Sequence, residues 1–375
     1  MSFRLRAGGS PQCSSLAVDS SVQFSRKIVG QSFVSNFNGH DVMKPALSAE
    51  IDFSRNCVLG IMDFGYAPYS LGDTMTWLTN LQITAHRHRS AQIDIVIVAR
   101  PERPSSGLQR FITPHNYVQA LETLFPAFLC APMVRSIRVF ESFSSFSQLI
   151  VGAIVAWTHS WPSLVSHFRE ELDYSSHRQI NKFYRLRGFV PLLKPPRGYE
   201  SDTEKFRREF LDGHEPVIVN IRRGALKSNP EALQRDSDPT PWYRFFSAVE
   251  RLFPSVVFVI VGGFSEWDRD LIRRQNIIIP RAWGYGLGVE LSLLLGGVPF
   301  MGTSSGFSAA ATFSSTPYVI TNFESPASKN IGLPVGTKQY PFSTNNQWLT
   351  WEGETEESLL WYFERLRGAD AKNRL

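Results

Sequence analysis

Two adjacent arginines directly follow an apolar segment that is typical of a buried strand. The segment is Pro216–Ile221, and Arg222, Arg223 and Gly224 come next. Side chains at the carboxyl end of a parallel strand emerge into the crevice where open α/β sheets bind ligands. The planar guanidinium group forms paired, charge-assisted hydrogen bonds with phosphate oxygens. The pattern therefore predicts that Arg222 and Arg223 bind a diphosphate, and the alternative is a strand end with solvated arginines.

A loop of small residues is the second candidate for phosphate binding. It follows the apolar segment Val298–Met301, and a helix is predicted over Ser304–Phe313. A helix N-terminus presents unpaired N–H groups and the positive end of the helix dipole, and small residues let a phosphate approach closely. Helix capping by a serine of this loop is compatible with such binding. The residues expected to hold the diphosphate are Gly302, Thr303, Ser304, Ser305, Gly306 and Phe307.

An aspartate in the amino-terminal half is the candidate for proton transfer. Asp73 follows Gly72 where a helix is predicted to begin, after the apolar segment Val58–Met62. A carboxylate at the edge of a cleft can accept the proton of a hydroxyl group as that group attacks. We expect Asp73 to be the general base or to orient an acceptor. The alternative is that it only caps the helix.

Three further candidates follow apolar segments of the carboxyl-terminal half. Gly263 comes after Val256–Val261, at the same end of a predicted strand as the two arginines. Trp283 lies in the loop after Ile277–Ile279 and is expected to contact a base or a ribose. Glu290 opens the next predicted helix, where it can accept from ribose hydroxyls or simply favour the first helical turn.

Two patterns that suggest a metal site are better explained otherwise. Asp236 and Asp238 form a D-x-D motif, but they follow a polar, helical stretch and do not close an apolar strand. His86 and His88 are two residues apart, so on a helix they point in different directions. We therefore predict no bound metal and no resident cofactor.

Hydrophobic patterning places the candidates in two successive β–α halves joined by a basic, proline-punctuated segment, Asn181–Tyr199. Alternating strands and helices build parallel sheets. A short strand is predicted near Val22–Val34, and a helix is predicted over Trp161–Leu172. The predicted division is an irregular leader (1–50), an amino-terminal lobe (51–190), an inter-lobe connection (191–215), a carboxyl-terminal lobe (216–350), and a closing helix and tail (351–375).

The composition excludes several classes of protein. Of the 375 residues, 43% are hydrophobic and 19% are charged, which provides a sizeable core and argues against a disordered chain. Three distant cysteines argue against a disulfide framework. The longest apolar run, Leu149–Trp157, is far shorter than the roughly 20 residues of a spanning helix. No secretory signal is recognised at the start, so we expect a cytoplasmic protein.

The motifs resemble those of the two-lobed GT-B glycosyltransferases, in particular the fucosyltransferase-like and heptosyltransferase-like group. The strand VIVNIRRG is similar to the fucosyltransferase H-x-R-R motif, with Asn220 where those enzymes often carry histidine. The segment FMGTSSGFSAAATFSSTPYVITN resembles the loop that cups the donor diphosphate. The segment SLGDTMTW resembles the Gly-Asp loop of heptosyltransferases, whose aspartate lies near the acceptor. The resemblance covers residues 57–325.

This resemblance implies an α/β fold of two Rossmann-like lobes that face each other across a cleft. The amino-terminal lobe (51–190) is then the acceptor side, and the carboxyl-terminal lobe (216–350) binds the nucleotide sugar. It implies transfer of a sugar from a nucleotide-diphosphate sugar, with GDP favoured, to a glycan, lipid-linked or peptide acceptor. Inversion without a metal is expected, with Asp73 and Arg222 as catalytic residues. A sugar-nucleotide epimerase and a non-catalytic nucleotide-sugar-binding protein are the alternatives. The net charge of +5 also suits nucleic acid, but only Lys182–Gly198 combines basic and aromatic residues. We expect no nucleic-acid partner and at most peripheral membrane contact.

Overall fold

The computed structural model describes residues 57–101, 112–153, 157, 159–164, 174, 177–223, 236–267, 269–323 and 333–373. All of them belong to one compact unit, Pro45–Leu375. The leader and its predicted strand near Val22–Val34 lie outside the described residues, as does Gly224. The predicted helix over Trp161–Leu172 lies mostly outside them, and Trp161 itself ends a strand.

The amino-terminal lobe is a four-stranded parallel sheet with the strand order β3-β2-β1-β4. Six of the seven residues of its second strand and all seven of its first are buried, as expected for a parallel sheet that is covered on both faces. Its elements are β1 (Cys57–Asp63), α1 (Leu71–Arg87), β2 (Gln92–Val98), α2 (Tyr117–Phe128), β3 (Val134–Phe140), α3 (Phe143–Ala153), β4 (His159–Trp161) and α4 (His177–Arg187).

The carboxyl-terminal lobe is a six-stranded parallel sheet with the strand order β10-β9-β8-β5-β6-β7. Its α-helices and strands are α5 (Glu200–Phe206), β5 (Glu215–Asn220), α6 (Pro239–Leu252), β6 (Val256–Ile260), α7 (Arg269–Ile272), β7 (Ile277–Ile278), α8 (Leu287–Leu295), β8 (Phe300–Thr303), α9 (Gly306–Thr312), β9 (Tyr318–Thr321), β10 (Gln347–Leu349) and α10 (Glu356–Asn373). Its described residues also include a π-helical turn (Arg207–Leu211) and two 3-10 turns (Phe264–Glu266 and Pro280–Trp283).

The chain between the sheets is more helical than the sequence indicated. Asn181–Tyr199 is predicted to connect the two halves, and the first third of this segment is helical, as part of α4. α4 has few apolar residues among many basic ones, so its helical periodicity is hard to recognise in the sequence. Ile180 and Phe183 are nevertheless buried against the lobe. The segment 191–215 likewise contains α5 and its π-helical turn.

The predicted closing helix is present, and its buried apolar residues follow one another at intervals of four and three positions, which places them on one face. Leu359, Phe363 and Leu366 are buried on one face of α10. The ring centroid of Phe363 lies 5.7 Å from that of Phe245 on α6, in an edge-on arrangement. α10 therefore belongs to the core of the carboxyl-terminal lobe.

Two helix pairs join the lobes: α1 packs against α9, and α2 packs against α8. One continuous hydrophobic cluster runs through these contacts from Trp77 in one lobe to Leu291 in the other. The predicted fold class, two facing α/β lobes with parallel sheets, is confirmed. None of the helices in the described part of the chain combines the length and the apolar character needed to cross a bilayer.

Candidate functional site

A cavity of about 380 Å³ lies between the lobes, where loops at the carboxyl ends of the strands face α1 and α2. Its amino-terminal wall is mostly apolar, and its opposite wall carries the charged groups. The first wall consists of Tyr69, Leu71, Ile112, Ala120, Thr123 and Leu124. The second consists of Asn220, Arg222, Gly262, Gly263, Glu266, Arg281, Leu287, Ser305, Gly306 and Phe307.

Arg222 lies two residues beyond β5 and lines the cavity, as its position after a buried strand predicted. Burial lowers the pKa of Arg222, and the nearby carboxylate of Glu266 opposes this shift. A guanidinium group stays charged in proteins, so Arg222 offers a cation to the cavity. Arg223 is partly buried beside it, outside the cavity lining, and its backbone N–H donates to Glu266.

The D-x-D motif is accounted for by local contacts. Asp236 lies 3.9 Å from the Arg222 guanidinium, and Asp238 caps α6 by accepting a hydrogen bond from the Thr240 N–H at 2.9 Å. Among the described residues, no group of three or more histidine, cysteine or acidic side chains is arranged to hold a metal ion.

Arg281 is a second cation in the cavity, and the sequence analysis missed it. Its Nε and one terminal nitrogen donate to the two carboxylate oxygens of Glu290 at 3.0 and 2.8 Å. The signal was present, because Arg281 follows β7 much as Arg222 follows β5. Two guanidinium groups, from residues that follow two strands of the same sheet, thus line one cleft.

Glu290 lies in the first turn of α8, which agrees with the second of its two predicted roles, and its burial argues against the first, a contact with ribose hydroxyls. Its side chain is completely buried, and its carboxylate accepts from Arg281 and, at 3.4 Å, from the Gly262 N–H. Burial raises the pKa of Glu290, and Arg281 acts in the opposite direction. A carboxylate enclosed in this way orients Arg281, and a ribose hydroxyl has no access to it.

Glu266 is a carboxylate in the cavity wall that is absent from the candidates predicted from the sequence. It ends a 3-10 turn and accepts from the Gly263 N–H at 2.9 Å. Burial raises the pKa of Glu266, while the Gly263 N–H, Arg222 and Asn220 lower it. Gly262 makes this geometry possible, since its φ is +130° and a Cβ there would lie 2.0 Å from a Glu266 oxygen. The predicted candidate Gly263 therefore does line the cavity, beside a carboxyl group.

The residues of the predicted small-residue loop, Gly302–Phe307, have three different positions: some belong to a strand, one caps a helix, and some line the cavity. Gly302 and Thr303 belong to β8, and a Cβ on Gly302 would come within 2.5 Å of the Asn220 carbonyl oxygen. Ser305 caps α9, which begins two residues later than predicted: its Oγ accepts from the Ser308 N–H, and its own N–H donates to the Ser308 Oγ at 2.7 Å. The members that line the cavity are Ser305, Gly306 and Phe307, and Ser304 lies just outside it.

Asp73 and Trp283 lie outside the cavity lining. Asp73 is in the first turn of α1, and Ser70 is the cap of that helix, accepting from the Asp73 N–H at 3.5 Å. Asp73 is therefore partly exposed and does not cap the helix. It follows Gly72, which lies beside Gly306 of the other lobe. Trp283 is 62% exposed and packs against Phe210, with ring centroids 5.0 Å apart. The predicted contact of Trp283 with a base or ribose has no support from this placement.

Solved structures with the same architecture share the GT-B fold of two Rossmann-like lobes. ADP-heptose lps heptosyltransferase II from E. coli aligns with a TM-score of 0.52 at 14% identity, over 84% of this chain and 99% of that one. The glycosyl transferase family 9 protein from Veillonella parvula aligns with a TM-score of 0.51 at 10% identity, over 84% and 98%. No protein-family model matches the chain, and no curated protein matches its sequence. These similarities establish the fold.

The chemistry of the site follows from its charges. One side of the inter-lobe cleft carries two arginines and the start of α9 (Ser305–Phe307), and an apolar wall lies on the other side. Such a surface can bind a dianionic or trianionic phosphate compound through charge-assisted hydrogen bonds, with water largely excluded on the apolar side.

Proposed function

We propose that this protein is a glycosyltransferase that uses a nucleotide-diphosphate sugar. The observation that carries the proposal is that Arg222 and Arg281 line the same cleft between the two lobes of a GT-B fold. A diphosphate carries at least two negative charges, and two guanidinium groups can neutralise them through paired hydrogen bonds. The fixed partner of Arg281, Glu290, would hold that cation in place before the donor arrives.

The proposal assigns separate parts to the two lobes. The donor diphosphate lies against Arg222, Arg281 and the start of α9 at Gly306. The acceptor enters beside the wall formed by Tyr69 and Leu71. Asp73 takes the proton of the acceptor hydroxyl as its oxygen bonds to the anomeric carbon, and the nucleoside diphosphate leaves with the electron pair of the broken C–O bond. Attack on the face opposite the leaving group gives inversion at the sugar carbon. Arginines supply the positive charge that a metal provides in other enzymes, so the reaction needs none. The acceptor is a glycan, a lipid-linked sugar or a peptide hydroxyl.

A thermal-shift panel of GDP, UDP, ADP and CMP tests donor binding. A ligand present at about 100 times its Kd adds about 2.7 kcal/mol to the free energy of unfolding, which a melting curve resolves easily. GDP is the favoured nucleotide because of the arginine motif. ADP belongs in the panel because one structural neighbour is named for ADP-heptose. Stabilisation by CMP alone, or by no nucleotide, would contradict the proposal.

A sugar-nucleotide epimerase is the second candidate, and Glu266 is the observation that favours it, since this carboxyl group lies in the cavity wall with a raised pKa. Incubation of the tightest-binding nucleotide sugar without any acceptor separates the two. An epimerase converts the donor into its epimer, whereas a transferase leaves it intact or hydrolyses it slowly. Nucleotide binding with neither reaction, on a panel of hydroxyl acceptors, would indicate a non-catalytic binding protein.

A further inference from the structure

The outer face of α4 carries basic and apolar side chains side by side. Arg178, Lys182 and Leu186 are spaced four residues apart, so they form one row along the helix, and all three are exposed. They share a shallow groove with Arg87 of α1. The opposite face of α4, with Ile180 and Phe183, is buried in the lobe.

The apolar members of this face are unusually accessible. Leu186 is 70% exposed and Phe189, just after the helix, is 45% exposed. The ring of Phe189 packs edge-on against Phe183 and His86, with centroids 5.3 and 5.5 Å away. We call Arg87, Arg178, Lys182, Arg185, Leu186 and Phe189 the α4 surface.

The charge of the α4 surface has one sign. The sequence from His177 to Gly198 contains no aspartate or glutamate, and its basic residues are Arg178, Lys182, Arg185, Arg187, Lys194 and Arg197. An interface with another folded protein usually offers charges of both signs, whereas an anionic bilayer presents only negative headgroups. Positive charge next to exposed leucine and phenylalanine is the pattern of helices that lie in a membrane interface.

We propose that the α4 surface docks the protein on an anionic phospholipid bilayer. The basic side chains would lie among the phosphate headgroups, while Leu186 and Phe189 insert at the acyl boundary. Leu186 favours this occupant over nucleic acid, because single strands bind by stacking their bases on aromatic rings, and the more exposed apolar side chain of this surface is aliphatic.

The bilayer would lie away from the cleft. Leu71, at the start of α1, lines the cavity, and Arg87, at its end, belongs to the α4 surface. A helix of 17 residues is about 25 Å long. Membrane binding and nucleotide binding should therefore be independent, so the test below does not depend on the proposed transferase activity.

Sedimentation of the full chain with vesicles provides the test. The protein is expected to bind vesicles of phosphatidylcholine with phosphatidylglycerol, and not vesicles of phosphatidylcholine alone, with binding that weakens as salt is added. The variant R178Q/K182Q/R185Q should bind roughly a hundred-fold more weakly, since each basic residue near an anionic surface contributes about a factor of five. Leu186→Ser with Phe189→Ser should also weaken binding.

A matched control lies on α6, where Arg251 and Leu252 are exposed neighbours of the same chemistry. Arg251→Gln with Leu252→Ser should leave vesicle binding unchanged, and circular dichroism should show all variants folded. Equal binding of the wild type to both kinds of vesicle, no binding to either, or wild-type binding by the triple variant would overturn the proposal. Binding of a single-stranded oligonucleotide without vesicle binding would overturn it in favour of nucleic acid.

Discussion

Gly72 of α1 and Gly306 of α9 lie in contact across the two lobes. A Cβ atom on Gly72 would lie 3.5 Å from the Gly306 Cα, which is an ordinary van der Waals distance. A Cβ atom on Gly306 would lie 2.6 Å from the Leu71 Cβ, which is closer than side chains approach. The absence of a side chain at Gly306 therefore serves the contact between the lobes, in addition to any approach of a ligand.

This asymmetry predicts different outcomes for two equal substitutions. Gly306→Ala should lower the free energy of unfolding by about 1–3 kcal/mol, the usual cost of forcing extra volume into a packed contact. Gly72→Ala adds the same methyl group at a permissive distance and should be neutral or slightly stabilising, because alanine favours a helix. Urea unfolding of both variants is the measurement. Equal losses of stability would show that the lobes do not pack as described.

Arg222→Ala should weaken nucleotide binding while leaving the protein folded. A hydrogen bond to a charged group contributes about 1.5–3 kcal/mol, so affinity should fall roughly ten- to hundred-fold. The ion pair of Arg222 with Asp236 is partly exposed and long, so little stability is lost with it. Calorimetric titration with the best nucleotide of the panel measures the change, with Arg251→Ala on the distant helix α6 as the control. Unchanged affinity would remove Arg222 from the site.

Arg281→Ala should cost more stability than Arg222→Ala. It leaves the carboxylate of Glu290 buried without its cation, and breaking a buried pair costs on the order of 3 kcal/mol at neutral pH. Adding Glu290→Gln removes the stranded charge, so the double variant should regain stability without regaining nucleotide affinity. Urea unfolding and titration on the single and double variants measure these effects separately. A double variant that binds nucleotide like the wild type would show that Arg281 only neutralises Glu290.

Glu266 should make stability depend on pH. Its pKa is raised above the ordinary 4.5, chiefly by burial, so the folded protein holds this proton more tightly than the unfolded chain. The resulting stabilisation is complete below about pH 4.5 and is lost as the pH rises through the raised pKa. Glu266→Gln should abolish this part of the dependence. Urea unfolding of wild type and variant over a pH series checks it, and parallel profiles would contradict it.

The Asp73→Asn variant tests whether Asp73 acts as the general base or only stabilises the start of α1. As the general base, Asp73 would be needed for turnover, and its loss should lower kcat by roughly 10²–10⁴ with the melting temperature and donor affinity unchanged. Ser70→Ala is the complementary control, because it removes the observed cap and should cost about 1 kcal/mol of stability while retaining kcat. Normal turnover by Asp73→Asn on the true acceptor would place the base elsewhere.

The sequence by itself determined the two β–α halves and the position of Arg222. Apolar runs such as Val256–Val261 can be satisfied only in a sheet covered on both faces, and a residue that directly follows such a run must emerge at the strand end. Local sequence pattern therefore predicts the order of the elements and the parallel sheets. It also predicts five residues of the cavity wall, namely Arg222, Gly263, Ser305, Gly306 and Phe307. The buried face of α10 follows in the same way, from a spacing of Leu359, Phe363 and Leu366 that matches the helical turn.

Only the tertiary structure decided which polar groups face the cleft. Glu290 and Arg281 are nine residues apart, and each is a charged residue near the start of a helical segment. Nothing in the sequence indicates which of the two side chains is accessible. Packing buries the carboxylate completely and leaves the guanidinium in the cavity wall. The requirement for glycine at position 306 also depends on Leu71, more than two hundred residues away. Burial and contact between distant segments are properties of the assembled lobes, because they depend on which surfaces the core brings together.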